Sequence, residues 1–549
     1  MSEVFDIADR YCTELGALDP CSATGAGIPG HDHEMTDYSP EGSARRNDLA
    51  RATLAALVSA ANESDDDRLA ATVITERLSL DLDQFDAGER LRDVRIIGSP
   101  IEAARQCFDL MRLDTDDDWE TATERMTRVP ASLESIEASL RAGVEQGLVA
   151  ARRQALACAE MAATWGGETD TEPFFRTLAA RGPDDAKLAA AAELATAGYA
   201  QLAAYLRDEY APAADPRNPV GRDRYALFAR AFNGIDLDLD ETYAWGWEEL
   251  HRIEDTMRRV AERILPGASI DEVIVHLDAD DNRAIEGVEE FRHWNQGLID
   301  QTISDLNGTH FDMADPLLTC EAMIAPPGGA AAMYYTPPTE DFSRPGRTWY
   351  PTMGQTRFPL WKEVSTCYHE AVPGHHLQVA QVVYLAEKLS RFQRLFGFVS
   401  GHGEGWALYA ERLMGELGYL EDPGFEMGML AAQAMRAVRV VVDIGMHLEL
   451  KIIDGEPHAG ETWTPELALP FVIGRSRFPE VFMRSEVDRY LGWPGQAISY
   501  KVGERVWLEA RAEAKQRKGA AFDLKEFHTY ALDLGSMGLA QLQDELARF

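Results

Sequence analysis

Tyr368-His369-Glu370-Ala371-Val372-Pro373-Gly374-His375-His376-Leu377-Gln378 gathers three of the chain's 13 histidines, with a glutamate directly after the first. Two imidazoles beside a carboxylate form the donor set of a zinc hydrolase: the nitrogens bind the ion and the carboxylate activates its water. The spacing departs from His-Glu-x-x-His, because the place of the second histidine is taken by Pro373. On an ideal helix His375 would stand about 600° round from His369, on the wrong face. His376 would return to the right face but about 10.5 Å along the axis, too far for one ion to share. Pro373 and Gly374 offer the repair. Proline lacks an N–H and pushes the preceding residue out of helical geometry, and glycine tolerates a bulged backbone. Two residues looped out there would bring His375 to the place of the usual second ligand. This favours His375 and leaves His376 as the alternative. The competing reading is that Pro-Gly merely separates two helices and the histidines serve as caps or core.

The third ligand is expected to be a carboxylate on a following helix. Between 377 and 420 the acidic residues are Glu387, Glu404, Glu411 and Glu416. Glu404 opens an apolar helix and is flanked by Gly403 and Gly405, which let the backbone come close. Glu411 falls on the same face two turns later and reads as a partner of a ligand; Glu387 reads as solvated. Two histidines and one glutamate leave the open position that a catalytic zinc requires, and Glu370 is then the general base. One divalent metal ion, zinc, is the expected cofactor.

The rest of the chain narrows the setting. Its 549 residues carry 92 acidic and 53 basic side chains, a formal net charge of −39. Such a field repels nucleic acid and anionic membrane surfaces, so neither is an expected partner. The six scattered cysteines read as reduced thiols, and no signal peptide or membrane span is visible. A cytoplasmic protein is expected; the sequence sets no oligomeric state.

Residues 1–43, with Pro20, Gly25, Gly27, Pro29, Gly30 and Pro40, read as a loop-rich arm. An N-terminal helical region follows over 44–215, and a catalytic helical region over 216–549, together read as one continuous structural domain. Three β-compatible runs, 319–324, 332–336 and 348–350, predict a small antiparallel sheet at about 316–353.

Four stretches carry a family resemblance: HEAVPGHHLQ (369–378), EGWALYAE (404–411), RAVRVVVDIGMH (436–447) and residues 493–503. With 334–346 they resemble a large bacterial family known only as a domain of unknown function, over at least residues 316–511. That family is similar to the all-helical zinc metallopeptidases, the Taq-type carboxypeptidases above all and angiotensin-converting enzyme more distantly. The resemblance implies a mainly α, two-lobed, zincin-like fold with a deep central groove. The small antiparallel sheet is expected beside the active-site helix. Many relatives look like exported lipoproteins. The Pro-Gly insertion sets the family apart from its peptidase cousins.

Chemistry and resemblance together suggest the remaining roles. A zinc peptidase stabilises an oxyanion with a donor beside the metal; Tyr500 is the first choice and His447 the second. Tyr334 and Tyr335 are expected to line the groove. Arg436 and Arg439, neighbours on one helix face, are expected to hold a peptide's terminal carboxylate, or else to form a salt bridge to Asp443 or to another helix. The resulting expectation is a zinc-dependent metallopeptidase, of carboxypeptidase type, acting on small peptides. Its rivals are a non-catalytic peptide-binding protein and a metal-dependent hydrolase of another amide or ester.

Overall fold

A computed structural model describes residues 2–325 and 333–549. The chain is mainly helical and divides into two compact units. The first comprises Met1–Val220 with Asp488–Trp493, and the second Gly221–Val487 with Pro494–Phe549.

The first unit is built around α1 (Asp116–Gln146), α2 (Arg152–Trp165) and α3 (Ala186–Tyr205). α1 starts at a capping box, in which Thr115 accepts from the Asp118 N–H and the Asp118 carboxylate accepts in return. It ends at Gly147, whose φ of 71° suits glycine. The alanine-rich α3 lies against both other helices, and Tyr199 from it stacks on Phe175 in the core.

Residues 1–43 are not a loop-rich arm. They hold the helices Glu3–Leu18 and Pro20–Gly25 and the start of Pro40–Ser59. Pro20 and Pro40 each stand in the first turn of a helix, where a missing N–H costs nothing. Val4, Ile7, Ala8, Tyr11 and Cys12 form one buried helical stripe that the count of Pro and Gly obscured.

The second unit carries the motif residues. Its principal helices are α4 (Leu239–Ile264), α5 (Val288–Leu306), α6 (Glu363–Glu370), α7 (His375–Tyr384), α8 (Ser400–Glu416), α9 (Pro423–His447), α10 (Ser499–Lys518) and α11 (Leu524–Asp533). The strands are β1 (Ala284–Glu286), β2 (Cys320–Ile324), β3 (Tyr334–Thr336), β4 (Gly346–Tyr350) and β5 (Arg357–Pro359). α4 packs along α9 and α8 along α10. The second crossing depends on glycine. A Cβ on Gly405 would stand 2.4 Å from the Gly503 carbonyl carbon, and one on Gly503 would stand 1.9 Å from the Gly401 oxygen.

The three-stranded sheet has the order β2-β4-β3. β3 pairs antiparallel with β4, as expected, while β2 joins the other side of β4 in parallel. The outer edge of β2 is covered by the Gln296 side chain of α5. Gln296 Nε2 donates to the Cys320 carbonyl (2.9 Å), and its Oε1 accepts from the Ala322 N–H (2.8 Å). β1 and β5 form a separate antiparallel pair. The start of the expected run at Ala332 and the Pro-Pro-Gly-Gly turn at 326–329 lie outside the described residues.

A buried ionic group joins four of these helices. Lys501 of α10 donates to Glu249 of α4 and to Gln433 of α9, each at 2.7 Å, and to Glu504 on its own helix. Arg412 of α8 donates to Glu504 (2.8 Å).

Candidate metal centre

The end of α6, the start of α7 and the first turns of α8 supply the three side chains. α6 makes a last helical hydrogen bond from the Ala371 N–H to the Cys367 carbonyl (2.8 Å). The chain then bulges through a cis Val372–Pro373 bond. It is drawn back by the Gly374 N–H on the Tyr368 carbonyl and the His376 N–H on the Ala371 carbonyl, both 3.0 Å. Gly374 lies so close to α6 that a Cβ there would come within 1.9 Å of the His369 oxygen. α7 begins immediately afterwards, with His375 as its first residue.

This geometry converges three donors. His369 Nε2 and His375 Nε2 each stand 3.5 Å from Oε2 of Glu404, and the two imidazoles meet edge to face, 4.8 Å between centroids. The three ligand atoms lie within 4.8 Å of one another, and no other group of this kind occurs among the described residues. Donors held about 2.1 Å from a tetrahedral ion are about 3.4 Å apart, so the two His–Glu separations fit a single zinc.

Behind His369 stands Glu411, fully buried. Nδ1–H of His369 donates to Glu411 Oε1 across 2.8 Å, which turns Nε2 toward Glu404. Ser365 Oγ, one turn earlier on α6, donates to the other oxygen of Glu411. Arg436 Nη2 is 3.5 Å from Glu411 Oε1. Burial and Arg436 push the His369 pKa down, but the bonds to Glu404 and Glu411 outweigh them and raise it to about 9. Burial opposes ionisation of Glu404, yet the two histidines hold its carboxyl well below the usual range. Glu411 is also lowered against its burial, chiefly by Arg436 and His369. Glu370, the residue after His369, is buried, and its Oε2 has no hydrogen-bond partner among the described residues.

His376 lies outside this group. Its Nε2–H donates to the Leu317 carbonyl (2.9 Å) and its Nδ1 accepts from the Tyr335 hydroxyl (3.0 Å). Both nitrogens are engaged, and burial lowers its pKa to about 4, so the ring is neutral. The bulge delivers His375, and the next residue is rotated about 100° away, toward the sheet.

His447 is likewise displaced. It closes α9, about 16 Å along the axis from Arg436. It is fully buried, with Nε2 3.8 Å from Asp443 Oδ1 and its ring 5.6 Å from that of Tyr225. Asp443 accepts from the Tyr225 hydroxyl (2.7 Å) and the Gly495 N–H (2.9 Å). Arg439 donates to Glu486 (2.7 Å) and Arg436 faces Glu411, so both guanidiniums are already paired with protein carboxylates. The Tyr500 ring packs against both, 4.5 Å from Arg439 Cζ and 5.8 Å from Arg436 Cζ. Tyr334 stacks on Trp349 (5.8 Å), while Tyr335 reaches His376.

The family model described as "Bacterial protein of unknown function (DUF885)" matches residues 20–546. The chain belongs to this family. Two solved structures share its fold. A proposed lipoprotein from Colwellia psychrerythraea has a TM-score of 0.85 at 21% identity, covering 99% of this chain and 98% of its own. A proposed lipoprotein of unknown function from Shewanella oneidensis has a TM-score of 0.74 at 17% identity, covering 100% of both chains. No curated protein matches. Among the described residues, no helix of this DUF885 chain is long and apolar enough to cross a membrane.

Two members of the DUF885 site carry little signal in the sequence. Ser365 is an ordinary helical serine until its place one turn before His369 is set against Glu411. Trp406 lies within a recognised motif, but nothing in the spacing shows that its indole reaches the Pro373–Gly374 bulge.

Proposed function

We propose that this DUF885 protein is a metal-dependent hydrolase that cleaves amide bonds of short peptides. The observation that carries the reading is the approach of two imidazole nitrogens to one Glu404 oxygen, each at 3.5 Å, with the unpartnered carboxylate oxygen of Glu370 on the same helix end. His369, His375 and Glu404 would hold the ion, and two nitrogens with one oxygen suit zinc. When bound, a divalent ion supplies Lewis acidity, which acidifies water and polarises a carbonyl.

The protein's own groups divide the remaining work. Glu411 fixes the His369 tautomer and ring orientation. Glu370 takes the proton of the attacking water at its free oxygen and passes it to the leaving nitrogen. Tyr500 is assigned to donate a hydrogen bond through its hydroxyl to the developing oxyanion, supported by its packing on Arg436, which reaches the His369–Glu411 pair. Arg436 and Arg439 are paired with Glu411 and Glu486, and a carboxypeptidase preference is not part of the proposal.

The test is hydrolysis of a mixed short-peptide library by the zinc-loaded chain and by Glu370→Gln. The expected result is cleavage by the wild type and none by the variant, at equal zinc content. Undiminished cleavage by Glu370→Gln contradicts the assignment.

A further inference from the structure

We propose that Trp406 is a positioning residue for the metal centre, whose indole N–H clamps the Pro373–Gly374 bulge and thereby sets the place of His375. The inference rests on the metal-binding reading above. Trp406 Nε1–H donates to the Pro373 carbonyl (2.8 Å) and lies 3.3 Å from the Gly374 carbonyl. One donor thus spans the peptide that joins the two bulged residues, directly before His375. The indole is fully buried and has no room to swing away. Trp507 meets it at 5.0 Å, Tyr409 at 5.4 Å, His528 at 5.7 Å and Phe311 at 6.4 Å between ring centroids.

The same helix, α8, carries Glu404 two residues earlier. α8 therefore presents one ligand directly and fixes a second through the bulge, so the His375–Glu404 separation is set by a single rigid element. This matters because a bulge outside regular structure has fewer backbone bonds to define it. An error of a fraction of an ångström in His375 is felt by an ion with short, directional bonds. The alternative is a self-sufficient bulge, held only by the backbone bonds of Gly374 and His376 to α6.

The experiment is zinc affinity by competition with a chromophoric chelator, on the full chain. It compares wild type, Trp406→Phe and Trp507→Phe. The control is apt because Trp507 Nε1–H also donates to a backbone carbonyl, that of His402 (3.2 Å), within the same aromatic cluster but away from the bulge. A fourth protein carries benzothienylalanine at 406, which keeps the bicyclic shape and replaces N–H by sulfur; it stands in should Trp406→Phe fail to fold. The expected result is a loss of about 10- to 100-fold in affinity on removing the Trp406 N–H, as for other residues that orient metal ligands. Trp507→Phe is expected to retain wild-type affinity. In the cobalt-loaded proteins the d–d spectrum should change only for the position-406 variants. Wild-type affinity without the Trp406 N–H, or equal losses at 406 and 507, overturns the clamp and leaves the metal site standing. A wild type that takes up no zinc overturns both.

Discussion

Nδ1–H of His369 donates to Oε1 of Glu411 across 2.8 Å, with both groups buried. This single bond decides which face of the imidazole is available to an ion. It holds the proton on Nδ1 and leaves Nε2 toward Glu404. Glu411→Gln, which can still accept through its amide oxygen but lacks the charge, should weaken zinc binding about 10- to 100-fold. Glu411→Ala should weaken it further. Chelator competition measures both.

Metal uptake should depend on pH in a definite direction. The ligand form of His369 is the neutral ring, and without metal its pKa is raised to about 9 by Glu404 and Glu411, against burial and Arg436. Protons therefore compete for the site below that value. Apparent zinc affinity should climb with pH and level off near about 9, with proton release on binding. For the metal-free fold the sign is the reverse. A raised pKa stabilises below the unfolded value of about 6.5, and that contribution is lost as pH rises through about 9. Calorimetric titrations in buffers of different ionisation heat would count the protons released.

Three buried histidines act in the opposite sense. Burial lowers His376 and His402 to about 4 and His528 to about 3, the last helped by Arg511 and His310. Their neutral forms stabilise the fold fully above the unfolded pKa of about 6.5, and the contribution fades as pH falls below it. Urea midpoints should therefore decline on acidification before most carboxylates titrate. His528→Gln should flatten that slope, since it removes one of the protons taken up on unfolding.

The Lys501 group is predicted to be a keystone of the second unit. Lys501 and Glu504 are each 1% exposed, and Glu249, despite its burial, is lowered to about 2, with Arg252 and Lys501 as the opposing influences. Lys501→Met leaves buried carboxylates short of their cation and should cost about 3–5 kcal/mol in urea unfolding. Adding Glu504→Gln to it should recover part of the loss, because the uncompensated charge is removed along with its partner.

The sequence made much of this arrangement legible. His369, Glu370, His375 and Glu404 announce themselves by residue type and by the Pro-Gly break, and the break was the clue to a bulge. The three short strands were visible because turn residues bracket them. Other features depend on distant pairings that spacing does not encode. The partners of His376 are a tyrosine, Tyr335, and a carbonyl, Leu317, from separate elements. Arg436 and Arg439 read equally as ligands for a substrate carboxylate or as salt-bridge partners of Asp443 or another helix, and only packing reveals the pairing with Glu411 and Glu486. The N-terminal helices were hidden because prolines at first-turn positions look, in composition alone, like loop punctuation.

The most direct test is zinc stoichiometry by elemental analysis after loading and desalting, on wild type, His375→Ala and His376→Gln. The account predicts one zinc per chain in the wild type, retention in His376→Gln and loss in His375→Ala. A zinc-free wild type, or loss at His376 with retention at His375, would contradict it.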